Sequence, residues 1–138
     1  MEIKLISLIK IAKQKLLEHE RSLANNQALI MRLHSEIDKI NVEISAIEMP
    51  VSGNFASYQM SRAGIHAYLY KIDDLRSQIS TLLKEQETIK KNIRIAHLNH
   101  EKMIYVYNQA KNKKDAYLKN IEDKQLDETS IMLHARAK

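Results

Sequence analysis

The sequence predicts an all-α protein: two long helices paired as an antiparallel coiled-coil hairpin, the second longer and ending in a C-terminal overhang. Three observations carry this prediction. Apolar residues recur with a seven-residue period from Ile65 to Ile121. The composition holds only two Gly, one Pro, one Phe and no Trp, too little for many turns or a compact aromatic core. One strong break, Pro50-Val51-Ser52-Gly53-Asn54, separates two stretches that are otherwise free of helix breakers except Gly64.

The second helix shows the period most clearly. Alternating steps of three and four residues from Ile65 select Tyr68, Ile72, Leu75, Ile79, Leu82, Gln86, Ile89, Ile93, Ala96, His100, Met103, Tyr107, Ala110, Lys114, Tyr117 and Ile121. Apolar side chains sustained at this spacing form a narrow stripe that needs a facing helix. The N-terminal half supplies one. Leu5, Ile9, Ala12, Leu16, His19, Leu23, Asn26, Ile30, Leu33, Ile37, Ile40, Ile44 and Ile47 follow the same rule. The first helix is expected over about residues 3–48, roughly 70 Å at 1.5 Å per residue. Pro50 stops it, because the residue before a proline is pushed out of the α region. The turn is expected over about 49–57 and the second helix over about 58–132, the whole chain forming one coiled-coil domain. Ser57, Ser61 and Asn54 are alternative caps for the second helix.

A short connection between long helices favours antiparallel packing. Polar residues within the stripes suggest the alignment. If facing residues have numbers adding to 112, Ile47 meets Ile65, Ile37 meets Leu75 and Ile30 meets Leu82. The same alignment sets Asn26 opposite Gln86, an amide pair that specifies register at a cost in stability. The first helix then ends opposite Ala110, and everything from Lys111 onward is overhang.

Composition excludes several functions. The chain has no cysteine, so a disulfide framework, a cysteine zinc site and a thiol nucleophile are absent. His97 and His100 are the one histidine pair at metal-ligand spacing, but Glu101 is expected to point off their face. There is no phosphate loop, nucleophile elbow or facing acid pair, so the protein is expected not to be an enzyme and to need no cofactor or metal. No stretch approaches the ~18 apolar residues that span a bilayer, and the charged N-terminus does not read as an export signal. A soluble cytoplasmic protein without membrane insertion is therefore expected. The formal charge of +5 lies wholly in residues 90–138, which hold 11 Lys and Arg against 6 acids. No aromatic or glycine motif of a nucleic-acid module accompanies it, so no nucleic-acid partner is expected.

The end that holds both termini is less amphipathic than the rest. Ile3, Ile6, Leu8, Ile11 and Leu17 lie outside the first stripe, and Ile104, Tyr105 and Val106 outside the second. Side by side, they would expose a joint apolar surface of the kind that marks a partner site.

The tail Glu122-Asp123-Lys124-Gln125-Leu126-Asp127-Glu128 gives the most specific motif. A Glu-x-Lys-x-Leu-Asp-Glu run near the end of a small two-helix coiled coil resembles the FliJ family of flagellar export proteins. Related injectisome stalk proteins share the architecture. The spacing Leu5, Leu8, Ala12, Leu16, Glu20 fits the family's first helix, and Tyr68-Leu69-x-x-Ile72 is similar to its restart of the second. The resemblance implies a fold like the central stalk of rotary ATP synthases. It also implies insertion of the terminal end into the pore of the hexameric flagellar export ATPase, promoting ring assembly and ATP hydrolysis. Further implied partners are the membrane export gate protein and export chaperones, with peripheral association at the inner membrane. On this likeness Ile6, Leu8, Ile11, Glu122, Lys124, Leu126, Asp127 and Glu128 would meet the ATPase. Tyr68, Leu69, Tyr70 and Ile72 would serve the gate or another partner. The free protein is expected to be a monomer. Two alternatives stand beside this one: a prefoldin-like holdase chaperone, and a structural coiled coil that homodimerises through the apolar end.

Overall fold

The computed structural model describes residues 2–48 and 55–137. It contains two helices, α1 (Glu2–Ala46) and α2 (Phe55–Ala137), and no strand among the described residues. They form an antiparallel hairpin. Helix α1 ends two residues earlier than expected, and the amide of Ile47 donates to the Ile44 carbonyl at 3.1 Å in a final tightened turn. The expected turn lies largely outside the described residues. Helix α2 starts at Phe55, ahead of all the serine caps considered, and continues beyond Met132 to Ala137. It runs through Gly64 because that glycine takes no left-handed conformation and has open space around it. Both termini suit the helix dipole, with Glu2 in the first turn of α1 and His134 and Arg136 in the last turn of α2.

The chain divides into two compact units. One comprises Met1–Leu16 with Ile95–Lys138, and the other Leu17–Arg94. In the second unit Ile30, Leu33, Ile37 and Ile40 of α1 and Ile72, Leu75 and Ile79 of α2 form a buried cluster. Ile44, Tyr68 and Leu82 close it at the margins. Every member stands on the three-four frame, so one stripe per helix becomes the core. Leu75 is the best enclosed side chain, at 1% exposure. A two-helix seam is one side-chain layer thick, which explains why few residues reach that level.

Asn26 sits in this layer at 7% exposure. Its amide does not bond Gln86, as the paired-amide expectation required. The Nδ2 group instead donates to the main-chain oxygen of Leu82 at 2.9 Å. Leu82 stands one helical turn before Gln86, and the short asparagine reaches the backbone there. Gln86 is half-buried. The Asn26 Oδ1 atom has no hydrogen-bond partner, so the residue carries part of its desolvation cost uncompensated.

In the first unit, Leu16 and Ala96 are buried, and Glu2 approaches Lys114 at 3.6 Å. Half-burial follows the expected frame at Leu5, Ile9, Ala12, His100, Met103, Tyr107 and Ala110, and beyond Ala110 it returns only at Ile121 among the described residues. Lys111 is the first of a run of exposed residues, where the overhang was expected to begin.

Two stability measurements follow. Leu75→Ala leaves a cavity in the layer and should cost about 2–5 kcal/mol in urea unfolding followed by circular dichroism. Asn26→Leu removes the unpartnered oxygen and should raise the melting temperature by several degrees, a gain of about 1 kcal/mol; a loss on the scale of Leu75→Ala would show that the Leu82 bond outweighs the buried oxygen.

Candidate partner-docking surface

In the first unit the seam residues Ala12 and Ala96 are small, and the stripe there leaves a dent that larger residues would fill. Leu8, Ile11 and Lys15 from α1 and Ile95, Asn99 and Met103 from α2 wall it. The result is a groove of about 350 Å³ with a mainly apolar lining. The Lys15 side chain lines the same groove, bringing a cationic head on an apolar stem to it. Around it Ile3, Ile6, Leu98, Ile104, Tyr105 and Val106 remain exposed, Tyr105 at 65%. Water contact over this much apolar surface is a standing cost, which a docked partner removes.

The tail offers different chemistry. Glu122, Lys124, Leu126, Asp127 and Glu128 are all exposed. Leu126, at 65% exposure, lines a shallow hollow with Glu122, Gln125 and Thr129. The Thr129 hydroxyl donates back to the Gln125 carbonyl at 2.8 Å, and among the described residues no ion pair engages Glu122, Asp127 or Glu128. This is an apolar knob set among carboxylates, able to seat in a partner pocket with basic edges.

In the second unit the gate-directed residues separate by burial. Ile72 belongs to the core at 3% exposure and is not available to a partner, whereas Leu69 and Tyr70 are open to solvent. Tyr68 is half-buried, and its hydroxyl donates to the Glu43 carboxylate across the two helices. That bond first, then the negative charge and then burial raise its pKa above the ordinary tyrosine value.

The model of the family described as Flagellar FliJ protein matches residues 1–138. The chain belongs to the FliJ family. No curated protein and no solved structure matches it. Membership makes it a protein of flagellar export, and the family likeness extends across residues 1–138. Among the described residues of this FliJ-family chain, no helix is long and apolar enough to cross a membrane.

Leu8 and Ile11 come together in one groove, as the sequence suggested; Ile6 is exposed but outside its lining. Glu122 and Leu126 share the tail hollow, whereas Lys124, Asp127 and Glu128 do not line it. Sequence reasoning placed the α2 side of the apolar surface at Ile104 to Val106 and missed Ile95, Asn99 and Met103. The two small residues Ala12 and Ala96 within the stripes were the available signal. It also missed Phe55 and Tyr58, exposed around a hollow with Arg62 and His66. The Glu101 expectation is corrected too. Its carboxylate meets His97 Nε2 at 3.0 Å, since residues four apart share a helix face.

Tyr68 yields a pH prediction. Its hydroxyl must stay protonated to donate to Glu43, and its folded pKa is raised. The stabilisation it brings is thus present below the unfolded value of about 10 and is lost as pH rises through the folded one. Melting temperatures between about pH 8 and 11 should fall more steeply for the native chain than for Tyr68→Phe. Phenolate absorbance should show one of the six tyrosines titrating late.

Proposed function

We propose that this chain is a non-enzymatic, stalk-like activator of the hexameric flagellar export ATPase that also links the ATPase to the export gate and export chaperones. The observation that carries this is the uncovered apolar groove and its surroundings in the unit that holds residues 2–16 and 95–137. A ring lumen is an enclosure that covers such a surface on several sides at once. The exposed Glu122–Glu128 segment adds charges that can pair with basic lumen residues while Leu126 anchors. Ile6, Leu8 and Ile11 provide the apolar contact on α1. Leu69 and Tyr70, in the other unit, are free for the gate, with Tyr68 at their edge. Contact with the gate would account for peripheral residence at the inner membrane.

The test is ATP hydrolysis by the cognate export ATPase titrated with the full chain, with ring assembly followed by light scattering. Stimulation saturating near one chain per ring supports the proposal. Leu126→Asp should preserve helicity and reduce stimulation at least about tenfold, the scale expected for burying an unpaired charge at an anchor site. Retained stimulation in that variant would remove the tail motif from the mechanism, and no stimulation by the native chain would remove the stalk assignment.

A further inference from the structure

Beyond Ala110, every described side chain of α2 through Arg136 is exposed except Ile121, which is half-buried. Tyr117, Ile121 and Met132 nevertheless continue the strip of Met103, Tyr107 and Ala110, all lying within about 100° of helix circumference at 3.6 residues per turn. The charges along this stretch are sorted by sequence, with Lys111, Lys113, Lys114, Glu122, Asp127 and Glu128 on or toward the strip and Lys119 and Asp123 on the far face. Lys111, Lys113, Lys114 and Lys119 stand against Asp115 alone on one side of Asn120. Glu122, Asp123, Asp127 and Glu128 stand against Lys124 alone on the other. Among these residues only Lys114 forms an ion pair, with Glu2. Lys111, Lys113, Lys119 and the four acids have no ion-pair partner among the described residues.

A helix with this pattern is complementary to its own antiparallel copy. A two-fold axis near Asn120 sets the basic block of each chain along the acidic block of the other, and brings Tyr117 of one beside Ile121 of its partner. A parallel pairing sets like charge against like along both blocks. Isologous pairing through one self-complementary patch is the commonest form of self-association. We infer that the free protein forms an antiparallel two-fold dimer through α2 residues 111–129, centred on Asn120, in place of the monomeric free state the sequence alone suggests. The inference rests on the charge blocks and the exposed strip, and does not depend on ATPase binding. It does have a consequence for it: Glu122 to Glu128 cannot face a second copy and another partner at once.

Sedimentation equilibrium of the full chain should show a monomer–dimer equilibrium that weakens about tenfold or more between roughly 0.05 and 0.5 M salt, as screening shortens the reach of exposed charges. One variant carries Lys111→Glu, Lys113→Glu and Lys114→Glu, and a second carries Glu122→Lys, Asp127→Lys and Glu128→Lys. Each should remain helical by circular dichroism and be monomeric alone. An equimolar mixture should dimerise, since both facing blocks then regain opposite charge. The cysteine-free background allows the orientation to be read directly. Ile121→Cys should cross-link to its own copy, and Met132→Cys should not, because antiparallel chains hold the two copies of that position roughly 36 Å apart. A monomer at all concentrations in low salt overturns the inference and leaves the tail to other partners. A dimer indifferent to both charge reversals overturns it in favour of another surface, such as the Leu8–Met103 groove. Equal cross-linking at both cysteines overturns the antiparallel arrangement.

Discussion

The contact between the apolar stripe of α1 and that of α2 is what every other feature depends on. Side chains at alternating three- and four-residue steps meet in a single layer, seen most fully where Ile30, Leu33, Ile37 and Ile40 close on Ile72, Leu75 and Ile79. Hydrophobic burial of about 25 cal/mol per Å² acts only along that layer. The outer faces of both helices gain nothing from it and must be held by local hydrogen bonds and propensity. In so thin a core one polar residue matters. Asn26 is tolerated with one of its two amide atoms bonded and the other not.

Function follows from what the seam does not cover. In the second unit the stripes are well filled, although Phe55, Tyr58, Leu69 and Tyr70 remain exposed outside them. In the unit of residues 2–16 and 95–137, alanines in the stripe and aliphatic residues beside it produce a groove and an apolar surround with no intramolecular cover. The tail then extends the helix with charged residues and a few apolar ones, all at the surface. Membership of the FliJ family gives these features a setting in flagellar export. The proposed ATPase contact and the proposed dimer would use the same tail chemistry, and competition between them would keep an adhesive segment covered until it is needed.

The core was legible in the sequence because coiled-coil burial is periodic and local. Leu33, Ile37, Ile72 and Leu75 each follow from a spacing that needs no knowledge of distant contacts. The extent of the overhang followed as well, since a register counted along both stripes predicts where α1 runs out. Details that depend on reach did not follow. Asn26 was expected to find an amide and found a carbonyl one turn away, because spacing identifies facing layers but not which atom a short side chain meets. Ile72 was grouped with surface contacts by its motif neighbours, although its own place in the stripe marks it as core. Glu101 was judged by direction from the helix axis, whereas a flexible carboxylate at four residues' distance turns back onto His97.

By itself, then, the seven-residue repeat determined the helical class, the antiparallel pairing partners and the point where pairing ends, since all three are consequences of one period and one break. The tail motif carried the resemblance to the FliJ family, to which the whole chain belongs. Only the tertiary structure decided that two alanines open a groove between Leu8 and Met103, that Asn26 keeps an unbonded oxygen, and that α2 continues as helix from Phe55 to Ala137. Those outcomes depend on the volume and reach of side chains brought together from distant parts of the chain, which spacing along a single strand of sequence does not encode.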